Sequence, residues 1–327
     1  MSARRASAAG VATLALALSQ AAGGCVCEQG QGVRKAVPGD DPHDPRVDPQ
    51  APPVSKESVI WDFRKHGEPP LLSLWPRDPT APGRKKHDAK VTKQGDLLVV
   101  ESESVDPWLL WQFDTPLHMA TLSVELIAPA AGTLQLYWTS VDCPTFSEPC
   151  SNAQPIVAGR QYVDLVATTA RAIREIRLDL PAASGQRIEI HQARLFGKPV
   201  FRSVAGHEAG TTVERADDGL VVNGASGDPW ITLATPWLEA GRAEMVEVEI
   251  GGAAPVAPQL YWQGDGCPQF NEECSVKLVG SGPSTFRARF PSGSKWSGKI
   301  SALRLDPSTQ AGRYVVARVS LVRPPPK

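Results

Sequence analysis

The 327-residue chain writes one domain-sized pattern twice, and that duplication limits its architecture more than any other feature. GDLLVVESESVDPW (Gly95 to Trp108) matches DGLVVNGASGDPW (Asp218 to Trp230), at an offset of 122 from Leu98/Leu220 to Trp108/Trp230. LQLYW (Leu134 to Trp138) matches PQLYW (Pro258 to Trp262) at 124, and CPTFSEPCS (Cys143 to Ser151) matches CPQFNEECS (Cys267 to Ser275) at the same offset. IRLDL (Ile176 to Leu180) matches LRLDP (Leu303 to Pro307) at 127, and RIEIHQARL (Arg187 to Leu195) matches RYVVARVSL (Arg313 to Leu321) at 126. The order is kept while the offset drifts, as short loop insertions produce. A unit of this size is a domain rather than a solenoid repeat. The expected division is 57–198 and 199–327.

Inside each unit the apolar period is two, which marks strands. In TLSVELI, Leu122, Val124 and Leu126 alternate with Ser123 and Glu125; in EMVEVEI, Val246, Val248 and Ile250 alternate with Glu247 and Glu249. In both closing strands the apolar positions run i, i+2, i+5, i+7. The alternation slips at His191-Gln192 and at Ala317-Arg318, where a β-bulge is expected. Thirty Pro and 28 Gly punctuate the strands. The expected fold class is all-β: two tandem jelly-roll-like β-sandwich domains after a signal peptide and a disordered linker. Only ARAIREI (Ala170 to Ile176) has helical spacing. The polar stretch Arg77 to Lys90, which the second copy lacks, reads as a mobile loop.

Alternation also sorts the outward residues. Gln135 and Tyr137 share the solvent face of one strand, and Arg177 and Asp179 that of another. Gln259, Tyr261, Arg304 and Asp306 repeat the arrangement, and Glu125 and Glu249 add a carboxylate in each copy. If the strands are neighbours, these residues form a patch of donors and acceptors around an aromatic ring. Two readings stay open: cross-strand pairs on a solvated face, or a ligand face suited to sugar hydroxyls and a sugar's C–H surface. Trp108 and Trp230 follow an Asp-Pro turn and are expected at the core edge, with stacking on a ligand as the alternative. Phe146 and Phe270, inside the cysteine loops, are expected to fold back as plugs. Glu148 and Glu272 then either cap loop N–H groups or meet a ligand or Ca²⁺.

Each cysteine pair encloses six residues, so the expected disulfides are Cys143–Cys150 and Cys267–Cys274, each contributing about 2–3 kcal/mol in the chain-entropy model. C-x6-C is a poor thiolate zinc spacing, and no metal site is expected. The chain's start fits export. Arg4 and Arg5 precede the apolar VATLALAL (Val11 to Leu18), and small residues then lead to Cys25. This ending resembles a bacterial lipoprotein signal, with Ala22 where Leu is usual and Cys25 as the lipidation site. The expected layout is a signal peptide over 1–24 and a Pro- and Asp-rich tether over 25–56. It places the protein at a bacterial outer membrane or cell surface, held by a lipid anchor, with a periplasm-facing placement as the alternative. Cys27 is left without an account.

Net charge is -1 and the charges are scattered, which excludes a general nucleic-acid binder. No G-x-S-x-G, H-E-x-x-H, Walker loop or G-x-G-x-x-G is present. No His recurs at matching positions in the two copies. Binding is therefore expected rather than catalysis, since two weak sites on one tether gain avidity.

The order Gln-x-Tyr-Trp, F-[S/N]-E-x-x-S, [I/L]-R-L-D and a closing bulged strand resembles galactose-binding-like jelly-roll domains, which are carbohydrate-binding-module-like. Leu136–Trp138 and Leu260–Trp262, the two cysteine loops, Arg177–Asp179 and Arg304–Asp306, and the final strands carry the likeness. It implies a β-sandwich, often one that binds carbohydrate and sometimes one with a structural Ca²⁺. No cofactor is read from the residues themselves. The expected partner is a polysaccharide or glycan. The alternatives are a structural or adhesion lipoprotein that docks a surface protein, and an undetected glycan hydrolase.

Overall fold

The computed structural model describes residues 57–76, 84–169, 171–225, 227–233, 235, 238–293 and 295–322. The signal peptide, Cys25, Cys27 and the tether lie outside them, as does Arg77 to Gly83 of the polar stretch. The described residues form strands and three single 3-10 turns, an all-β fold as the alternation predicts.

In the first half, one sheet orders Gly159–Val166, Thr121–Ala128, Arg187–Phe196, Leu97–Ser102 and Ala89–Gln94, with Leu72–Trp75 added on Arg187–Phe196. The facing sheet orders Arg84–His87, Trp108–Leu117, Ile173–Asp179, Gly132–Thr139 and Ser151–Ile156. Leu122, Val124 and Leu126 from the first sheet meet Leu109, Trp111, Leu136, Trp138 and Leu178 from the second in one core. The second half repeats the plan. Val246, Val248, Val316 and Val319 pack against Leu260, Trp262, Leu303 and Leu305. Burial of each such side chain contributes about 1.5–3 kcal/mol. Both slips in the closing strands are bulges: pairing skips His191 between Ile190 and Gln192, and Ala317 between Val316 and Arg318.

Three expectations change. Ile173–Asp179 is a strand, not a helix. The i, i+3 spacing of Ile173 and Ile176 that looked helical comes from a register shift between Ile173 and Glu175, which puts both on the core side. The described part of Arg77 to Lys90 is not a loop either. Arg84–His87 is an edge strand paired with Trp108–Leu117, and Lys90 pairs with Glu101 in the other sheet.

The third change concerns Glu57–Asp62, expected to begin the first domain. It lies antiparallel to Gly312–Val322, with Val59 opposite Leu321 and Trp61 opposite Val319. Val200–Phe201 joins its other edge in parallel. Val59, Trp61 and Phe63 alternate into the core of the second half. Ile60, on the opposite face, packs with Phe196 and Val200. The strand is thus apolar on both faces and closes a sheet made from the far end of the chain.

Candidate functional site

The polar row lies on the outer face of the five-stranded sheet. Core positions Leu109, Leu136 and Leu178 fix the pleat, so the residues next to them point outward. Tyr137 sits opposite Arg177, and Gln135 opposite Asp179. Trp108 sits on the far side of Asp179. The three strands thus carry Trp108, then Arg177 with Asp179, then Tyr137 with Gln135. The Arg177 guanidinium lies 5.4 Å from the Trp108 ring and 5.1 Å from the Tyr137 ring, within cation–π reach of both. It also grips Asp179 through Nε at 2.6 Å and Nη2 at 2.5 Å, the paired fork geometry that fixes both groups.

The cysteine loop completes the cluster. After the loop, Ser151 pairs with Tyr137 across the sheet, and the turn Glu148–Cys150 hangs over that pair. Gln135 Nε2 donates to Glu148 Oε2 at 2.9 Å and to Ser151 Oγ at 3.0 Å. The Tyr137 hydroxyl donates to Glu148 Oε1 at 2.5 Å. Ser151 Oγ donates to the Glu148 carbonyl at 2.9 Å.

The second half reproduces each bond. Gln259 donates to Glu272 at 2.9 Å and to Ser275 at 2.7 Å, and Tyr261 donates to Glu272 at 2.8 Å. Arg304 grips Asp306 through two bonds of 2.7 Å. It lies 5.1 Å from both Trp230 and Tyr261. There Arg304 Nη2 also reaches Asp228 at 3.1 Å. The copies differ beside the tryptophan: His87 stacks on Trp108 at 5.1 Å, while the edge strand Val204–His207 takes that place in the second sheet.

Burial, together with the Glu148 hydrogen bond, pushes the Tyr137 phenol up to about 12. Tyr261 is pushed up by burial and Glu272. The hydrogen bonds donated by Tyr137 and Gln135 hold Glu148 below the usual carboxylate range, and those from Gln259 and Tyr261 do the same for Glu272. Burial raises Asp179, and it raises Asp306 to about 6, against the pull of the paired arginines.

The structure brings together Gln135, Tyr137, Glu148, Arg177 and Asp179, and equally Gln259, Tyr261, Glu272, Arg304 and Asp306. It separates Glu125 and Glu249 from them. Those two lie on the other sheet of each half, where Glu125 accepts from Arg160 and Tyr162 and Glu249 from Arg64. Outward alternation cannot distinguish the two outer faces of a sandwich.

Phe146 and Phe270 are half-buried and do not join the cores. The cystines take the expected place of the plug: Cys150, Cys267 and Cys274 are buried in the cores, with Cys143 packed against the first. Both disulfides form as expected. The glutamates cap no loop N–H. Among the described turns of the two cysteine loops, Asn271 caps the second, accepting from the Cys274 N–H at 3.1 Å.

Trp108 and Trp230 are members of the clusters, not core-edge residues. The period-two run through Leu109 and Trp111 carries that signal, since it turns Trp108 outward.

No protein-family model matches the sequence, and no curated protein sequence matches it. Among solved structures, the chain is similar to a mutant family 29 carbohydrate-binding module, at 8% identity over 39% of this chain and 89% of that one, with a TM-score of 0.32. A mutant of that module complexed with cellulohexaose gives 10% identity over 43% and 94%, at a TM-score of 0.30. The family 29 module itself gives 8% over 43% and 90%, at 0.31. The class assigned here, an all-β chain of paired sheets with one polar–aromatic cluster on each half, rests on the sheets, cores and contacts described above.

Proposed function

We propose that this is a non-catalytic exported lipoprotein that binds carbohydrate through the two Trp-Arg-Tyr platforms. One observation carries the reading: the same cluster is built twice, residue for residue, on the outer sheet face of each half. Structural ion pairs alone do not require the tryptophan, arginine, tyrosine and loop glutamate to recur together. A saccharide ring offers an apolar C–H face for the half-buried Trp108, Trp230 and Tyr261 rings and hydroxyls for the remaining lone pairs of the carboxylates. The internal hydrogen bonds hold those acceptors in place, which limits the ordering cost of binding. Two such sites on one chain add avidity.

A glycosidase needs an acid free to protonate the leaving group. Both oxygens of Asp179 and of Asp306 are engaged by an arginine, and Glu148 and Glu272 are held ionised, which favours binding over hydrolysis. The two cystines and the signal-like start with Cys25 support an exported, membrane-anchored protein.

The test is a glycan array probed with residues 57–327, repeated with Tyr137→Ala plus Tyr261→Ala. Binding to a neutral glycan family that the double variant loses supports the reading. No glycan bound, or unchanged binding by the variant, removes it and leaves the face as a docking surface for a protein.

A further inference from the structure

A cleft of about 680 Å³ opens away from both platforms, where the Gly159–Val166 strand and the connector through Arg202 meet the hairpin Thr211–Gly224. Four cationic side chains and two carboxylates line it. The carboxylates are committed elsewhere: Glu125 pairs with Arg160 and accepts from the Tyr162 hydroxyl at 2.7 Å, and Asp217 pairs with Lys65 at 3.2 Å. Arg202 and Arg215 have no carboxylate within ion-pair distance among the described residues.

Both guanidiniums gather on one ring. The Arg215 guanidinium carbon lies 3.8 Å from the Tyr162 ring centre and that of Arg202 lies 5.2 Å from it. Arg202 is only 4% exposed, and its Nε has no hydrogen-bond partner. Its other nitrogens reach the Arg64 carbonyl at 2.6 Å and Gln192 at 3.5 Å. Arg215 donates one bond, to the Phe63 carbonyl at 3.1 Å. Asp164, also buried, accepts at Oδ2 from the N–H groups of Arg202 and Ser203 and from the Ser203 hydroxyl, while its Oδ1 has no hydrogen-bond partner. Burial and the like charge of Arg202 push Arg215 down to about 10. It stays charged at neutral pH.

Buried charges in folded proteins are normally paired, because removing an ion from water is costly unless a counter-charge stands beside it. Two guanidiniums stack on one tyrosine with no carboxylate in ion-pair contact, and Asp164 and Glu125 act on Arg215 only at longer range, so a ligand oxyanion would supply the close counter-charge. Guanidinium forks match oxyanions bidentately. Tyr162 and Phe63 add ring surface beside them.

We propose that this cleft is an oxyanion-binding site, in which Arg215 takes a carboxylate, sulfate or phosphate group and the buried Arg202 adds positive charge beside it. The site is separate from the platforms and does not depend on the reading given to them. The oxyanion comes either from an acidic saccharide or as a free anion.

Isothermal titration of the full chain at low ionic strength tests this with three probes: oligogalacturonate, inorganic phosphate and inorganic sulfate. Arg215→Met is the variant, because it keeps an apolar stem on Tyr162. Oligogalacturonate binding alone supports the acidic-saccharide source, and binding of the inorganic ions supports the free-anion source. In either case Arg215→Met loses about tenfold or more in affinity, as expected for hydrogen bonds to a charged group. The variant's melting temperature without anion is unchanged or higher, because an uncompensated charge has been removed, and that measurement verifies its folding. The proposal is overturned if none of the three probes binds the wild-type chain, or if Arg215→Met binds them as well as wild type.

Discussion

Tyr137 donates its hydroxyl to Glu148 at 2.5 Å, and this bond ties the cystine loop to the sheet. Its copy, Tyr261 to Glu272, spans 2.8 Å. The two residues of each pair lie 11 apart in sequence, with the first cysteine of the loop between them. The disulfide buries its sulfur in the core and leaves the glutamate hanging over Gln-x-Tyr. The nine-residue loop thus works as an arm that sets a carboxylate on the platform.

This bond makes Tyr137 hard to ionise. Its pKa rises from 10.0 to about 12, through burial first and Glu148 second. A phenol whose folded pKa is raised stabilises the fold fully below its unfolded pKa, and that contribution is lost as pH rises through the folded value. The window here is pH 10 to about 12. Ultraviolet titration of Glu148→Ala should show one tyrosine ionising at lower pH than in wild type. An unchanged titration curve would mean that burial alone holds the phenol.

Removing the arm should act on both stability and the platform. Cys143→Ala with Cys150→Ala should cost about 2–3 kcal/mol by the chain-entropy argument, measured by urea denaturation. The same variant should move the Tyr137 titration downward, because Glu148 is then no longer held above the ring. A stability loss with no change in titration would show that the loop keeps its shape without the cystine.

Much of the platform was legible in the residues, and the rest was not for identifiable reasons. Gln135 with Tyr137, and Arg177 with Asp179, sit two apart on strands whose inward partners are plainly apolar, so alternation alone turned them outward. Their meeting depends on the Tyr137–Arg177 register, which comes from strand pairing rather than local pattern. The Asp-Pro turn before Trp108 points to a core edge, but the alternation after it, through Leu109 and Trp111, turns Trp108 onto the outer face. Glu125 has the same outward signature as Tyr137, yet a sandwich has two outer faces. Arg202 and Arg215 belong to different elements and share no sequence pattern, so only the folded chain shows them on one ring.

The buried acid of the second platform predicts an unusual pH dependence. Asp306 is raised to about 6 by burial, against the pull of Arg304 and with added repulsion from Asp228 and Glu272. A carboxyl group with a raised folded pKa adds stability that is full below its unfolded value of 3.8 and is lost as pH rises through about 6. This slope opposes that of Glu272, whose lowered pKa adds stability above its unfolded value and loses it as pH falls. Wild-type stability should decline between pH 4 and 6, and denaturation of Asp306→Asn should lose that decline. An equal slope in both proteins would place the proton elsewhere.

The strand Glu57–Asp62 leads to the furthest-reaching prediction, because it lies at one end of the described chain and completes a sheet from the other. Trp61 is fully buried in the second core and pairs with Val319. Trp61→Ala should therefore cost about 3–5 kcal/mol, the usual cost of emptying a large core site. The loss should appear in the second half. Hydrogen exchange should quicken along Gly312–Val322 and Met245–Gly252, while Gly132–Thr139 keeps its protection. The fragment 199–327 lacks the strand altogether. Val319 and Leu321 would then lie next to an open edge, with an unfilled slot where Val59, Trp61 and Phe63 pack. It should unfold at lower urea than the second half does in the whole chain, and adding a peptide of residues 57–68 should restore part of the difference. Equal stability of the fragment and the intact chain would show that the strand decorates the sheet instead of completing it.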